Sequence, residues 1–268
     1  MALDPSGRLA IAGGELEYRL VGPAPDVAPT LVLLHEGLGS LGLWRDFPEK
    51  LAAATGLGVF AWSRAGYGKS TPVALPRPLT YMHEEARDVL PAVLDAIGFR
   101  QGLLVGHSDG ASIATLHAGG TDDPRVRALV LMAPHFVVED VTVTSIAEAK
   151  VAYDEGDLRS KLARWHGDVD VAFRGWNDAW LDPGFRTWDI TDALPRIRVP
   201  VQILQGTRDQ YGTARQIDIA RAHCRAPVEV VWVPDGGHSP HREAPELTLA
   251  SIAGFAARHL AICVKENA

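Results

Sequence analysis

Residues 102–118 read GLLVGHSDGASIATLHA, and the reading of this stretch decides the fold. Leu103, Leu104 and Val105 form an apolar run of buried-strand type that stops at Gly106-His107-Ser108-Asp109-Gly110. Beyond the turn, Ala111, Ile113, Ala114 and Leu116 recur at helical spacing. A bare Gly-x-Ser-x-Gly is a weak signal, because glycine and serine are common. Between a strand and a helix it reads as a sharp elbow that thrusts its serine out of the sheet edge. The positions two before and two after the serine leave almost no room for a side chain, and glycine, lacking Cβ, fits both. Ser108 then stands at a helix N-terminus, where free N–H groups and the helix dipole favour negative charge. The plainer alternative is an ordinary strand-to-helix turn.

Outward from the elbow, the apolar runs Thr30–Leu34, Gly58–Trp62, Val126–Met132, Val201–Leu204 and Pro227–Val233 read as buried strands. Residues 8–21 read as two short strands around Gly13-Gly14. Helical spacing marks residues 42–54, with Trp44, Phe47 and Leu51 on one face, and Thr80 to Ile97, capped by Thr80 and ended by Gly98. It also marks 212–224 and 244–260, with Pro245 in the last helix's first turn. Strands alternating with helices predict an α/β fold: a mostly parallel open sheet with helices on both faces. From 135 to 191 the rhythm breaks into helical, charged stretches carrying Trp165, Trp176, Trp180 and Trp188. This insertion follows the C-terminal end of a strand, where open α/β sheets bind ligands. The expected organisation is a core of residues 1–134 and 192–268 with a helical lid of 135–191 inserted after a central strand.

Length and composition bound the function. A chain of 268 residues with 47% hydrophobic and 22% charged residues can bury a large core as one α/β domain. A net charge of −7, with no basic cluster, argues against nucleic acid as a partner. Cys224 and Cys263 are isolated, which suggests neither a disulfide framework nor a thiolate metal site and suits a reducing compartment. No run approaches the ~18 apolar residues of a membrane span, and no basic segment and apolar core open the chain. The expectation is a cytoplasmic protein acting on a small molecule, with no membrane partner and its subunit number open. No glycine-rich phosphate loop appears, so no cofactor is expected.

A serine hydroxyl needs a base to take its proton, and that base needs a third group to hold it. His238, in Asp235-Gly236-Gly237-His238, follows the last strand, and Asp209 lies just past the strand at 201–205. The order Ser108, Asp209, His238 puts all three beyond strand C-termini, so one sheet edge can gather them. Asp209 read plainly is a helix-entry cap; the rival acids are Glu139 and Asp140. His238 and His241, three residues apart, lack a third ligand of matching spacing, so no metal is expected. His107 reads as packing beneath the elbow and His35 as a brace for its loop.

On these residues the chain resembles the α/β-hydrolase superfamily, in particular its lidded, esterase- or lactonase-like members. The resemblance covers nearly the whole length. It rests on the His35 loop, Arg64-Ala65-Gly66-Tyr67-Gly68-Lys69-Ser70, the Gly106–Gly110 elbow, Gly206 to Asp209, and Gly237-His238. It implies catalysis by Ser108, His238 and Asp209, with the N–H groups of Gly37 and Asp109 as an oxyanion hole. One such donor is typically worth ~2.7–4 kcal/mol of barrier. Glu36 departs from the pattern, since relatives commonly carry glycine there. A carboxylate of Glu36 or Asp109 facing the hole would oppose the developing charge. Both side chains are therefore expected to turn away, with Arg64 neutralising one of them; the plainer reading sends Glu36 to solvent. Glu36, Phe136, Trp176 and Trp180 are candidate pocket residues, and Arg174, Asn177 and Asp178 candidate contacts for a polar substrate end. The resemblance implies hydrolysis of a small or medium ester, lactone or thioester. The same triad also serves C–C bond hydrolysis and cofactor-free perhydrolysis, and a ligand receptor can keep the fold.

Overall fold

The computed structural model describes residues 3–260, so Cys263 lies outside the described residues. Eight strands form one sheet. They are β1 (Ser6–Ile11), β2 (Gly14–Val21), β3 (Thr30–Leu34), β4 (Gly58–Trp62), β5 (Gly102–His107), β6 (Val126–Met132), β7 (Val201–Gly206) and β8 (Val228–Val233). Their spatial order is β1-β2-β4-β3-β5-β6-β7-β8. The β1–β2 hairpin joins antiparallel to β4, and every pairing from β4 to β8 is parallel. Every residue of β3, β4 and β5 is buried, as strands covered on both faces require.

Side chains alternate between two apolar layers. Val32, Leu34, Leu104, Leu129 and Leu131 pack with Leu90, Leu94 and Ile113 on one face. Leu31, Leu33, Leu103, Val105 and Val130 pack with Leu51, Ile252 and Phe255 on the other. That second face is covered by α1 (Phe47–Thr55) and by the C-terminal helix Pro245–His259. Because β4 lies on one side of β3 and β5 on the other, the strand order reverses between β3 and β5. A crevice opens at such a reversal, outside the strand C-termini.

Two helices depart from the sequence expectation, and proline is the reason in both. The helix expected over 42–54 is a 3-10 turn, Leu41–Trp44, then Arg45 at φ 53°, then α1. Pro48 has no N–H to give and its ring would strike the carbonyl four residues back, so the helix restarts with Pro48 in its first turn. Trp44, Phe47 and Leu51 are buried all the same. The expected helix from Thr80 is α2 (Tyr81–Glu84), a π turn (Glu85–Val89) and α3 (Leu90–Ala96). Pro91 lies in the first turn after the wider π segment, which frees it from the same clash. Thr80 does not cap this helix with its side chain; its hydroxyl donates to Glu84 Oε1 at 2.7 Å.

The elbow leads into α4 (Asp109–Gly120). Between β6 and β7 the chain forms α5 (Asp140–Asp154), α6 (Leu158–Leu162) and α7 (Val169–Leu181). A single bridge, Val137 to Asp189, joins the two ends of this segment. After β7 come α8 (Ala214–His223), and after β8 α9 (Pro240–Glu243) and α10 (Pro245–His259). Among the described residues no helix is long and apolar enough to cross a membrane.

Candidate active site

The elbow is built by steric exclusion. Ser108 sits at φ 52° and ψ −118°, a conformation that costs a non-glycine residue on the order of 1–3 kcal/mol. It is held by its N–H donating to the Met132 carbonyl at 2.9 Å and its own carbonyl accepting from Ala111 N–H at 2.8 Å. A Cβ at Gly106 would collide with the Gly110 carbonyl, and one at Gly110 with the Leu34 carbonyl. Both glycines are thus needed where the turn crosses its neighbours, and Ser108 is left 7% exposed at the rim.

The loops after β7 and β8 bring Asp209 and His238 together. His238 Nδ1 lies 2.9 Å from each Asp209 carboxylate oxygen, so the ring donates from Nδ1 and leaves Nε2 free to accept. Asp209 also accepts from Tyr211 N–H at 2.8 Å, Gly212 N–H at 3.2 Å and Gln205 Nε2 at 2.8 Å. Burial alone would raise this carboxyl. The hydrogen bond and charge of His238, with the Tyr211 N–H, outweigh burial and hold it below the usual carboxylate range. Asp209 is therefore the partner of His238 and the anchor of the turn at Tyr211-Gly212, whereas the cap of the helix that follows is Thr213, whose side chain accepts from Arg215 N–H. Glu243 pins the histidine's loop, accepting from Gly237 N–H at 2.5 Å and Ser239 N–H at 2.9 Å.

Ser108 and His238 line one cavity of about 130 Å³. Among the described residues no hydrogen bond joins the Ser108 hydroxyl to the His238 ring, and such bonds commonly tighten only when substrate enters. Gly37 follows β3 and Asp109 follows β5, so the two candidate oxyanion donors come from paired strands at the order reversal, and both border the cavity.

The two flanking acids are each engaged. Tyr81 donates its hydroxyl to Asp109 Oδ2 at 2.5 Å, and Arg64 Nη2 lies 3.8 Å from the same oxygen. Burial raises the Asp109 carboxyl despite both neighbours. Arg64 thus faces Asp109, and its guanidinium also donates to the main-chain carbonyls of His35 at 2.7 Å and Glu36 at 3.2 Å and lies over the Tyr67 ring. Glu36 does not reach to solvent as a free acid; its carboxylate faces the His107 ring at 3.4 Å. His35 braces its loop, donating from Nδ1 to the Glu36 carbonyl at 2.7 Å and accepting Arg64 N–H at Nε2 at 3.0 Å.

Glu36, Trp176 and Trp180 border the cavity, and the Trp176 indole fills the space a Cβ would take at Gly37. Phe136 does not border it. Its N–H donates to Gln216 Oε1 at 2.7 Å, and its ring is fully buried in the core. The suggested polar contacts are also occupied elsewhere. Arg174 pairs with Asp154, Asp178 with Lys150, and Asn177 donates to the Ile146 carbonyl. The rival acid Glu139 accepts from Thr213 and Gln216, and Asp140 pairs with Arg186. His135, Thr142, Ile146 and Tyr211 border the cavity without having been singled out. His135 and Tyr211 carried a usable signal, since each closely follows a strand C-terminus. Thr142 and Ile146 lie on α5 and had none. Among the described residues no group of three or more His, Cys, Asp or Glu is placed to hold a metal ion.

Sheet order, elbow and crevice together define an α/β-hydrolase fold. Residues 31–251 match the Alpha/beta hydrolase family, and the chain belongs to that family. A proline iminopeptidase of Lactobacillus crispatus (strain ST1) is 29% identical over 241 residues, covering 76% of this chain and 82% of the relative. A solved proline iminopeptidase of Mycobacterium smegmatis superposes with a TM-score of 0.74 at 19% identity, over 96% of this chain and 99% of the other. A thermophilic esterase from Thermogutta terrifontis superposes with 0.74 at 17% identity, over 95% and 99%. At these identities the structural likenesses speak for the fold alone.

Proposed function

We propose that this protein is a serine hydrolase that cleaves a small carboxylic ester, lactone or thioester by two-step acyl transfer. The observation that carries the reading is His238 Nδ1 held 2.9 Å from both oxygens of Asp209, on the wall of the cavity that Ser108 enters. In the proposed reaction Ser108 attacks the carbonyl carbon while His238 Nε2 takes the hydroxyl proton. Asp209 stabilises the imidazolium, and the N–H groups of Gly37 and Asp109 receive the oxyanion. His238 then returns the proton to the leaving group. In the second half it activates a water that releases the acid from the serine.

Residues 135–191 act as the lid over a core of 1–134 and 192–268, a role supported by Trp176 and Trp180 of α7 bordering the cavity. A cavity of about 130 Å³ is well below the ~300–1,000 Å³ of typical ligand pockets, so the enclosed part of the substrate is small. A cytoplasmic setting fits the isolated cysteines. A second reading, release of an N-terminal residue from a peptide, is favoured by the 29% identical relative named proline iminopeptidase. The test is a panel of p-nitrophenyl esters of rising acyl length beside lactones, a thioester, a diketone and proline p-nitroanilide. Hydrolysis fastest at the short acyl end, and abolished in Ser108→Ala, is the expected result. Turnover retained in folded Ser108→Ala overturns the reading. A preference for the anilide transfers the chemistry to the second one.

A further inference from the structure

His107 ends β5, next to the candidate nucleophile, and is 1% exposed. Its ring stands between two oxygens. Nε2 is 2.7 Å from the main-chain carbonyl of His238, and Nδ1 is 3.4 Å from Glu36 Oε2. A carbonyl and a carboxylate both accept hydrogen bonds and neither donates. A ring with one proton can serve only one of them and turns a lone pair on the other. Both contacts are favourable only when the Glu36–His107 pair holds one more proton than a neutral imidazole facing a bare carboxylate.

The orientation of Glu36 is fixed from several sides. Its carbonyl accepts from His35 Nδ1, Arg64 Nη2 and Gly39 N–H, the last at 3.0 Å. A Cβ at position 39 would stand 2.5 Å from Glu36 Oε2, so glycine there leaves room for the carboxylate. The side chain is 23% exposed, and it borders the cavity immediately before Gly37. The groups facing the His107 ring are Glu36 from the loop after β3, Asp209 from the loop after β7, His238 from the loop after β8 and His241 from α9. Burial pushes His241 down to about 3, with the charge of His107 adding, so His241 is neutral. Burial would lower His107 as well. The Glu36 carboxylate 3.4 Å away outweighs it, and His107 is raised. Glu36 is held low in turn: burial would raise it, and the neighbouring His107 ring prevails.

We propose that Glu36 and His107 form a one-proton positioning pair that ties the oxyanion loop to the backbone of the general base, so that efficient turnover requires the pair's proton. The proposal rests on Ser108 being the nucleophile. Neither residue performs the chemistry; each holds a group that does. Below the pair's titration the loop bearing Gly37 is docked. As pH rises through it, the neutral ring presents its Nδ1 lone pair to the Glu36 carboxylate, the loop moves, and kcat falls with little change in KM.

The test uses the whole chain, its best short-chain ester, and histidine ring NMR. In wild type the His107 ring is expected to remain protonated at pH 7, and kcat to fall on the alkaline side as that ring titrates. In Glu36→Gln an amide faces Nδ1 and can donate to it. The ring is then expected to be neutral at pH 7, and the alkaline fall in kcat to vanish. In His107→Leu both ties are lost, and kcat is expected to drop roughly ten- to a hundred-fold with KM within about threefold, the scale of a misplaced reacting geometry. A neutral His107 in wild type, or an alkaline limb unmoved in Glu36→Gln, overturns the proposal. Glu36→Gln decides alone if His107→Leu does not fold. Fluorophosphonate labelling of Ser108 and the Ser108→Ala control separate the two failures. An active Ser108→Ala sinks the hydrolase reading, whereas an inactive one beside an unmoved Glu36→Gln profile sinks only the pair.

Discussion

At the scale of single residues, the backbone strain at Ser108 and the two-oxygen grip of Asp209 on His238 make distinct demands. Asp209→Asn keeps the shape but cannot enforce the tautomer that leaves Nε2 free. Its kcat is expected to fall about 10³–10⁴-fold with the fold intact, read by steady-state kinetics beside a circular dichroism spectrum. Gly110→Ala drives a methyl group into the Leu34 carbonyl, and urea unfolding is expected to report a loss of at least ~1–3 kcal/mol. The placement of Ser108, Asp209 and His238 at one end of the sheet is legible because order and strand ends need no side-chain directions. That of Phe136 is not. It also follows a strand end, but whether a ring points to the core or the cavity depends on packing with residues such as Gln216, eighty positions away. The Glu36–His107 contact was hidden for the same reason. The sequence marks Glu36 as a departure, and only the coordinates supply its partner.

At the scale of elements, the strands were read closely, since runs such as Thr30–Leu34 and Gly58–Trp62 are buried on both faces and carry an unmixed apolar signal. Helix continuity is less visible in the sequence. Pro48 and Pro91 sit inside periodic patterns, and periodicity survives a restart or a π turn that shifts the backbone. The segment between β6 and β7 contributes Trp176 to the cavity wall. Trp176→Ala removes that wall, and the ratio of kcat/KM for a butanoate to that for an acetate ester is expected to rise about tenfold or more. An unchanged ratio would remove α7 from substrate selection.

At the scale of the whole molecule, burial of uncharged histidines couples stability to pH. Burial lowers His35 well below its ordinary value and pushes His135 and His241 down to about 3. Each stays neutral in the folded chain while the unfolded chain takes a proton below the ordinary value of 6.5. Their stability contribution is present above 6.5 and is lost as pH falls from there toward about 3. His107 has the opposite sign, contributing below 6.5 and losing that contribution as pH rises through its raised value. Burial also raises Asp109 and Glu85, which oppose the histidines, so the difference between wild type and His135→Phe isolates one group. Between pH 7 and pH 5 wild type is expected to lose on the order of 2 kcal/mol more stability than His135→Phe. The proposed acyl transfer requires convergence: loops after β5, β7 and β8 must deliver a hydroxyl, a carboxylate and an imidazole to one place. Labelling with a fluorophosphonate followed by peptide mass spectrometry tests it most directly. One adduct on Ser108 in wild type, strongly slowed in folded His238→Ala, is the predicted result; no adduct on Ser108, or an equal rate without His238, would contradict it.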